Sequence, residues 1–537
     1  MERYKGKSVC PQIAVGRIRF YEREKIQIGK ETSDSAEKEW KRYETARRIA
    51  QEQLWEMMRR AEQEVGATNA AIFDVHALLL EDEDYNEYVQ HAIQTQKVTA
   101  EYAVWLAREY YSEMFSAMED EYFRARAADI RDISNRMMRI LTEKDSGIQT
   151  EAEPVILAAE DLTPSEAMQF AKEKVLAFVT ERGSANSHTA ILARTRNIPA
   201  LTGVSVQKDW DGKMGIADGR SGILYVDPDL ATTKRLLYCR DQVQETMQEL
   251  QKWKGQKTRT HSGREVRLYA NAGAIEEIEE ALREDAEGIG LFRSEFLYLG
   301  SEALPTEEEQ FLVYQKAAEL LNGKKLIIRT MDIGGDKRVP YLGLEQEENP
   351  AMGYRAVRIG LEQPDILKTQ LRAIYRASMY GEIAVMFPMI TSVEEVRKIR
   401  RLTEEVKDEL RKEAIPYREI EFGIMIETPA AALISEELAK ETDFFSIGTN
   451  DLSQYTMAID RQNPRLEAFF DPHHPAVLRL IQMTIENGHK HGCRVGICGE
   501  LAADVTLTET FLKMGADELS VPPCMVLPVR AAVCESV

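Results

Sequence analysis

From about Ser33 to Lys144 apolar residues return every three or four positions, and Gly and Pro are nearly absent. That spacing lines them along one stripe of a helix and predicts a bundle of about four helices. In "AAIFDVHALLLEDEDYNEYVQHAI" it sets Ile72, Val75, Leu79 and Leu80 on a common face. The flanking sequence has a different rhythm. "KSVCPQIAVGRIRFYE" at 7–22 reads as short strands punctuated by Pro11 and Gly16, and from Glu153 to about Asp227 strands alternate with helices. "PVILAAE", "VLAFVT" and "GILYVDPD" are the strands. "TPSEAMQFAKE" is a helix opened by Thr163 as N-cap, with Pro164 at N1 and Glu166 at N3. The strands at 7–22 have few partners nearby, so they complete this later unit and the helical bundle is an insertion.

Residues 229–258 predict one long charged helix, a connector between two halves. Beyond it come eight short apolar runs: "VRLYANA", "GIGLFRSE", "LIIRTMD", "AVMFPMI", "FGIMIETP", "FFSIGTND", "VGICGE" and "ELSVPP". Amphipathic helices separate most of them, which is the rhythm of a TIM barrel. The expected fold is therefore multidomain, α/β plus all-α. An α/β domain is built from 1–22 and 147–228, a helical domain is inserted at 23–146, a linker helix follows at 229–258, and a (β/α)8 barrel fills 259–537.

A chain of 537 residues accommodates about three such domains. Charge narrows the partners: 69 Lys and Arg against 90 Asp and Glu give a net −21. So acidic a chain is poorly suited to nucleic acid or an anionic membrane, and well suited to a basic protein partner. Six cysteines occur without a CxxC pair or zinc-ligand spacing, as expected of free thiols in a reducing cytosol. No apolar leader opens the sequence and no apolar run approaches 20 residues, so a cytoplasmic location without a membrane span is expected.

Barrel chemistry belongs at the C-terminal ends of the strands. Those ends carry Arg293 and Glu295, Arg329 and Asp332, Glu427, Asn450 and Asp451, and Cys498 and Glu500, with Arg461 shortly after the sixth. Arginines in a cavity grip phosphate or carboxylate bidentately. Glu427 and Asp451 suit Mg²⁺, a hard ion that takes one or two carboxylates plus substrate oxygens. Cys498 is the polarisable acid–base candidate. Any one of these residues alone reads as a structural ion pair or an inert thiol. Together they predict a small doubly anionic phosphoester bound with Mg²⁺.

His188 lies in "GSANSHTAILAR", in the first turn of a short helix capped by Asn186 or Ser187. The positive helix end lowers an imidazole's pKa, and its free N–H groups would steady an attached phosphoryl group. Taken alone, the stretch serves equally well as a simple helix start.

In order along the chain, "EDEYFRARAADIRDI", "SHTAILAR", "GIGLFRSEFLY", "IIRTMDIGGDK", "ENPAMGYRAVRI", "GIMIETPAA", "FFSIGTNDLSQYTMAIDR", "DPHHPAVLRLI" and "ICGELAAD" resemble Enzyme I of the bacterial phosphoenolpyruvate-dependent sugar phosphotransferase system. The resemblance implies a swivelling phosphohistidine domain in which His188 accepts the phosphoryl group of phosphoenolpyruvate. It implies that Arg293 and Arg329 hold the substrate phosphate, that Asn450 and Arg461 position the substrate, and that Glu427 and Asp451 bind Mg²⁺. Cys498 would protonate the enolate to pyruvate. The helical insertion would dock the phosphocarrier HPr, and the barrel would form a homodimer. The sequence departs from the family around His188, where Ser184, Ala185 and Asn186 replace Gly, a basic residue and Thr. It departs also at Cys10-Pro11-Gln12 and at Ala503. A pyruvate phosphate dikinase or phosphoenolpyruvate synthase shares the histidine unit and barrel, but it needs a large ATP-binding domain for which this chain has no room. A regulatory, non-catalytic relative is the other alternative.

Overall fold

Short runs of Val, Ile, Leu and Ala at 2–21 and 155–226 pair into one sheet, although the helical sequence separates them. The computed structural model describes all residues except 11, 23–27, 66, 119–120, 143–152, 171–173, 183–189, 191–192, 194–197, 300, 302, 336–338, 346, 462 and 537. It divides into two units, residues 1–245 and 246–537.

In the first unit, β1 (Glu2–Lys5), β2 (Lys7–Cys10), β3 (Ile13–Tyr21), β4 (Val155–Ala159), β5 (Val175–Thr180), β6 (Ala200–Thr202), β7 (Met214–Asp218) and β8 (Ile223–Val226) form a sheet in the order β1-β8-β7-β3-β4-β5-β6-β2. The β3–β4, β4–β5 and β5–β6 pairs are parallel. One face buries Ile18, Ile156, Val179 and Trp210, the other Leu157, Phe178 and Ile198, as alternation requires. The expected capping box is present. Thr163 accepts from the Glu166 amide and the Glu166 carboxylate accepts from the Thr163 amide.

The helical segment holds, among the described residues, five helices rather than about four: α1 (Ala36–Val65), α2 (Ala67–Leu79), α3 (Glu83–Gln96), α4 (Ala100–Ser116) and α5 (Glu121–Leu141). In α2 and just beyond, the buried stripe is Phe73, His76, Ala77 and Leu80, while Ile72, Val75 and Leu79 are only half-buried. The stripe thus turns by about one residue from the expected face. His76 is enclosed because Asp129 and Asp132 of α5 flank its ring, at 3.1 and 3.5 Å. The connector expected to be one helix over 229–258 is α-helical only from Leu230 to Leu250. A single 3₁₀ turn follows at Gln251–Trp253, and then the chain turns through Gly255 at φ +79°. Among the described residues, no helix is long and apolar enough to cross a membrane.

In the second unit, eight parallel strands close into the expected barrel: β9 (Arg267–Ala272), β10 (Gly288–Arg293), β11 (Lys325–Arg329), β12 (Glu382–Phe387), β13 (Glu421–Ile426), β14 (Phe444–Gly448), β15 (Arg494–Cys498) and β16 (Glu518–Val521). Leu326, Ile328, Phe422, Ile424, Ile426, Val495 and Ile497 belong to the large core between strands and helices. Their neighbours Ile327, Met425 and Cys498, with Tyr269, Leu291, Met386 and Phe444, fill the barrel interior. A side-chain period of two separates the sets. It also carries Arg329, two residues past Ile327, and Glu427, two past Met425, to the interior at the strands' C-terminal end.

Candidate active site

The C-terminal mouth of the barrel encloses a cavity of about 410 Å³. Arg293, Arg329, Glu427, Asn450, Asp451, Arg461 and Cys498 all line it, so seven of the eight residues given a catalytic, substrate or metal role from the sequence meet in one place. The eighth, His188, lies outside the described residues, as do Ser184, Ala185 and Asn186.

Arg293 reaches the cavity only because β10 is irregular. Ile289 faces the outer core, and strict alternation would send Leu291 and Arg293 outward too. The register shifts between Ile289 and Leu291, after which Leu291 packs inside and Phe292 outside. Arg293 therefore points into the mouth.

Arg329 is buried at the cavity floor. Its Nη2 donates to Glu295 Oε1 at 2.9 Å, and its Nη1 lies 3.2 Å from Asp332 Oδ2. Glu295 Oε1 also accepts from the Asp332 amide at 2.9 Å, and Arg355 pairs with Asp332 Oδ1 at 2.9 Å. Burial alone would weaken the guanidinium's hold on its proton. Glu295, Asp332, Glu427 and Asp451 outweigh it and push the pKa higher still, so the charge is permanent. Arg355, within "ENPAMGYRAVRI", is a residue the strand-end reading missed. Its signal was one of two arginines in a family-like stretch that lies away from the strand ends.

Glu427 is fully buried. Its Oε1 accepts from the Met389 amide at 2.6 Å. Gly448 leaves room for its other oxygen, since a Cβ there would lie 3.0 Å from Glu427 Oε2. Burial, then the charges of Asp451 and Asp332, raise this carboxyl to about 8 against the pull of Arg329 and the Met389 amide. Arg329 Nε and Glu427 Oε2 are both buried without a hydrogen-bond partner among the described residues. Such orphans cost about 1–3 kcal/mol each, and a bound oxyanion for the first and a cation for the second would relieve them. The donor set therefore fits a hard divalent ion at Glu427 and Asp451. Among the described residues no group of three or more His, Cys, Asp or Glu side chains is assembled to hold one.

Because Glu427 has a folded-state pKa above its ordinary 4.5, the native state binds its proton more tightly than the unfolded chain. The resulting destabilisation is absent below about pH 4.5 and grows as pH rises through about 8. In metal-free buffer Glu427→Gln is expected to melt above wild type at about pH 8.5 and to lose that advantage near pH 4.5. Thermal denaturation at the two pH values checks this. Equal melting temperatures at the higher pH would count against a strained carboxylate.

Asp451 and Asn450 sit in the first turn of the helix Thr449–Met457. Arg461 Nη2 is 3.9 Å from Asp451 Oδ1, and Asn450 Oδ1 accepts from the Glu500 amide at 2.8 Å. Gly499 brings β15 close to this helix. It sits at φ +93°, and a Cβ would be 2.4 Å from Thr449 Oγ1. Cys498 ends β15 with its Sγ 3.4 Å from the Ile447 carbonyl. Burial raises its thiol to about 11, and the nearby Glu427 adds to the rise. The Ser446 hydroxyl and the Arg329 and Arg293 guanidiniums offset it only in part. At neutral pH the group is S–H, able to give a proton and poorly able to act as a nucleophile.

Three family descriptions match the chain: PEP-utilising enzyme, PEP-binding domain over residues 247–536; PEP-utilising enzyme, mobile domain over 151–222; and PEP-utilising enzyme, N-terminal over 5–126. The chain is 41% identical over 530 residues to the phosphoenolpyruvate-protein phosphotransferase of Geobacillus stearothermophilus, covering 98% of this chain and 92% of that protein. It is 43% identical over 534 residues to that of Haemophilus influenzae, covering 98% and 93%. With that of Bacillus subtilis strain 168 it shares 39% over 537 residues, covering 99% and 94%.

Proposed function

This chain belongs to the phosphoenolpyruvate-protein phosphotransferase family, and from that membership we propose how its residues divide the work. The enzyme takes the phosphoryl group of phosphoenolpyruvate, releases pyruvate and passes the group to a protein. His188 is the acceptor, and it lies in the segment matched by the mobile-domain description. Arg293 and Arg329 hold the phosphate, while Asn450 and Arg461 orient the substrate. The P–O bond of the substrate breaks as the N–P bond to the imidazole forms. The enolate left behind takes the Cys498 proton at carbon and becomes pyruvate. Glu427 and Asp451 would hold Mg²⁺, whose charge would offset that of the substrate oxygens. Transfer of this kind is mostly positioning and charge stabilisation. One observation carries the reading. Arginine and carboxylate groups with unsatisfied buried atoms converge above a thiol that stays protonated at neutral pH.

The finer organisation follows the same reading. Residues 1–22 and 147–228 carry the phosphohistidine, 23–146 dock HPr, 229–258 link, and 259–537 bind phosphoenolpyruvate. The histidine must be loaded at the barrel and unloaded at the carrier, which requires its domain to swivel. The protein is assigned to the cytoplasm as a homodimer joined through the barrel, supplying HPr at the first step of sugar uptake.

The test is incubation with ³²P-labelled phosphoenolpyruvate and Mg²⁺, following label on the protein and pyruvate in solution. Wild type is expected to gain acid-labile label and release pyruvate. Cys498→Ala is expected to form pyruvate about a hundredfold more slowly, the contribution of one positioned general acid. Absence of acid-labile label on wild type would overturn the proposal. An unchanged rate in Cys498→Ala would remove the thiol from it.

A further inference from the structure

The barrel has a second cavity, at the opposite end of the strands. It measures about 480 Å³, within the size range of small-molecule sites. The interior layer of Leu291, Ile327, Met386, Met425 and Phe444 separates it from the mouth that carries the phosphotransfer residues. Barrel bottoms usually hold structural residues, and their charges ordinarily pair off. Here some do: Glu421 is engaged by Lys325 at 2.7 Å and by Arg494.

Two facing charges do not pair. Glu518 and Arg267 are register partners on the adjacent strands β16 and β9. Both line the cavity, yet no hydrogen bond or ion pair within 4 Å joins either side chain to another described residue. Space is made for the Glu518 carboxylate: a Cβ on Gly290 would lie 2.8 Å from its Oε1, and one on Gly496 would lie 3.2 Å from the same oxygen. Burial raises this carboxyl to about 7, only partly offset by Arg267, Arg494 and Lys325. The lining as a whole carries four Lys or Arg and five Asp or Glu. This near balance disfavours a lone anion or cation and favours a molecule bearing both charges.

We propose that the N-terminal cavity of the barrel binds a small zwitterion, a free α-amino acid, with its ammonium on Glu518 and its carboxylate on Arg267. The apolar layer keeps such a ligand out of the phosphotransfer site, so this is a second, independent site.

The test is thermal denaturation of the full chain with each of the twenty protein amino acids singly at about 10 mM. Butylamine and butyrate serve as single-charge controls. At least one amino acid is expected to raise the melting temperature by about 2 °C or more, and neither control should do so. Glu518→Gln and Arg267→Met should each weaken the response at least tenfold in ligand concentration. Each variant counts only if it melts cooperatively without ligand, and Arg267, being exposed, provides the variant less apt to disturb folding. No shift with any amino acid, an equal shift with a single-charge control, or a response unchanged in both variants would overturn the proposal.

Discussion

Incubated with ³²P-labelled phosphoenolpyruvate and Mg²⁺, His188→Ala is expected to take up no acid-labile label and to release no pyruvate above background. On the proposed mechanism the imidazole is the acceptor itself, so the loss should be complete. Without it the P–O bond has no nucleophile in line, and no electrostatic contact compensates. The cavity, the arginines and the thiol belong to the barrel and remain, so phosphoenolpyruvate should still raise the variant's melting temperature. Label appearing on His188→Ala, located by peptide mapping to another histidine, would reassign the acceptor while leaving the barrel site in place. The same assay addresses Ser184, Ala185 and Asn186. If their departure from the family pattern slows the histidine, restoring the family residues should speed labelling.

Arg329→Met is expected to lower kcat/KM for phosphoenolpyruvate by about 10³-fold or more, the effect of removing a guanidinium that stabilises a transferring phosphoryl group. It should also destabilise the barrel by about 3 kcal/mol, because Glu295 loses its buried counter-charge and Asp332 loses one of its guanidinium partners. Urea denaturation reads the second effect and steady-state pyruvate release the first. Arg329→Lys separates them. It restores a positive charge for the carboxylates but not the planar fork, so stability should recover more than activity does. Equal recovery of both would mean that Arg329 serves as a structural ion pair alone.

Much of the barrel site is legible in the chain because parallel strands buried on both faces obey a period of two. Once the apolar runs are counted, the inward position at the end of several strands is a polar residue that has no place in a core. Arg329, Glu427 and Cys498 follow from that rule. Arg293 does not. It faces the mouth because β10 shifts register after Ile289, and a bulge leaves no mark in hydropathy. Arg355 also escaped, since it comes from a loop whose path depends on pairing with Asp332. In the helical bundle, spacing identified helices but misjudged the buried face of α2 by about one residue. His76 looks polar in sequence and becomes a core residue only beside Asp129 and Asp132.

Most element types, the eightfold rhythm and the chemistry gathered at the strand ends can be read along the chain, because local periodicity and residue type need no partner to be read. Which charges pair and which stay unsatisfied is settled by the fold alone. Arg329 Nε, Glu427 Oε2, Glu518 and Arg267 differ from the paired Lys325 and Glu421 not in kind but in distance. Coulomb energy and hydrogen bonding depend on those few ångströms, which closure of the barrel sets and no one strand contains.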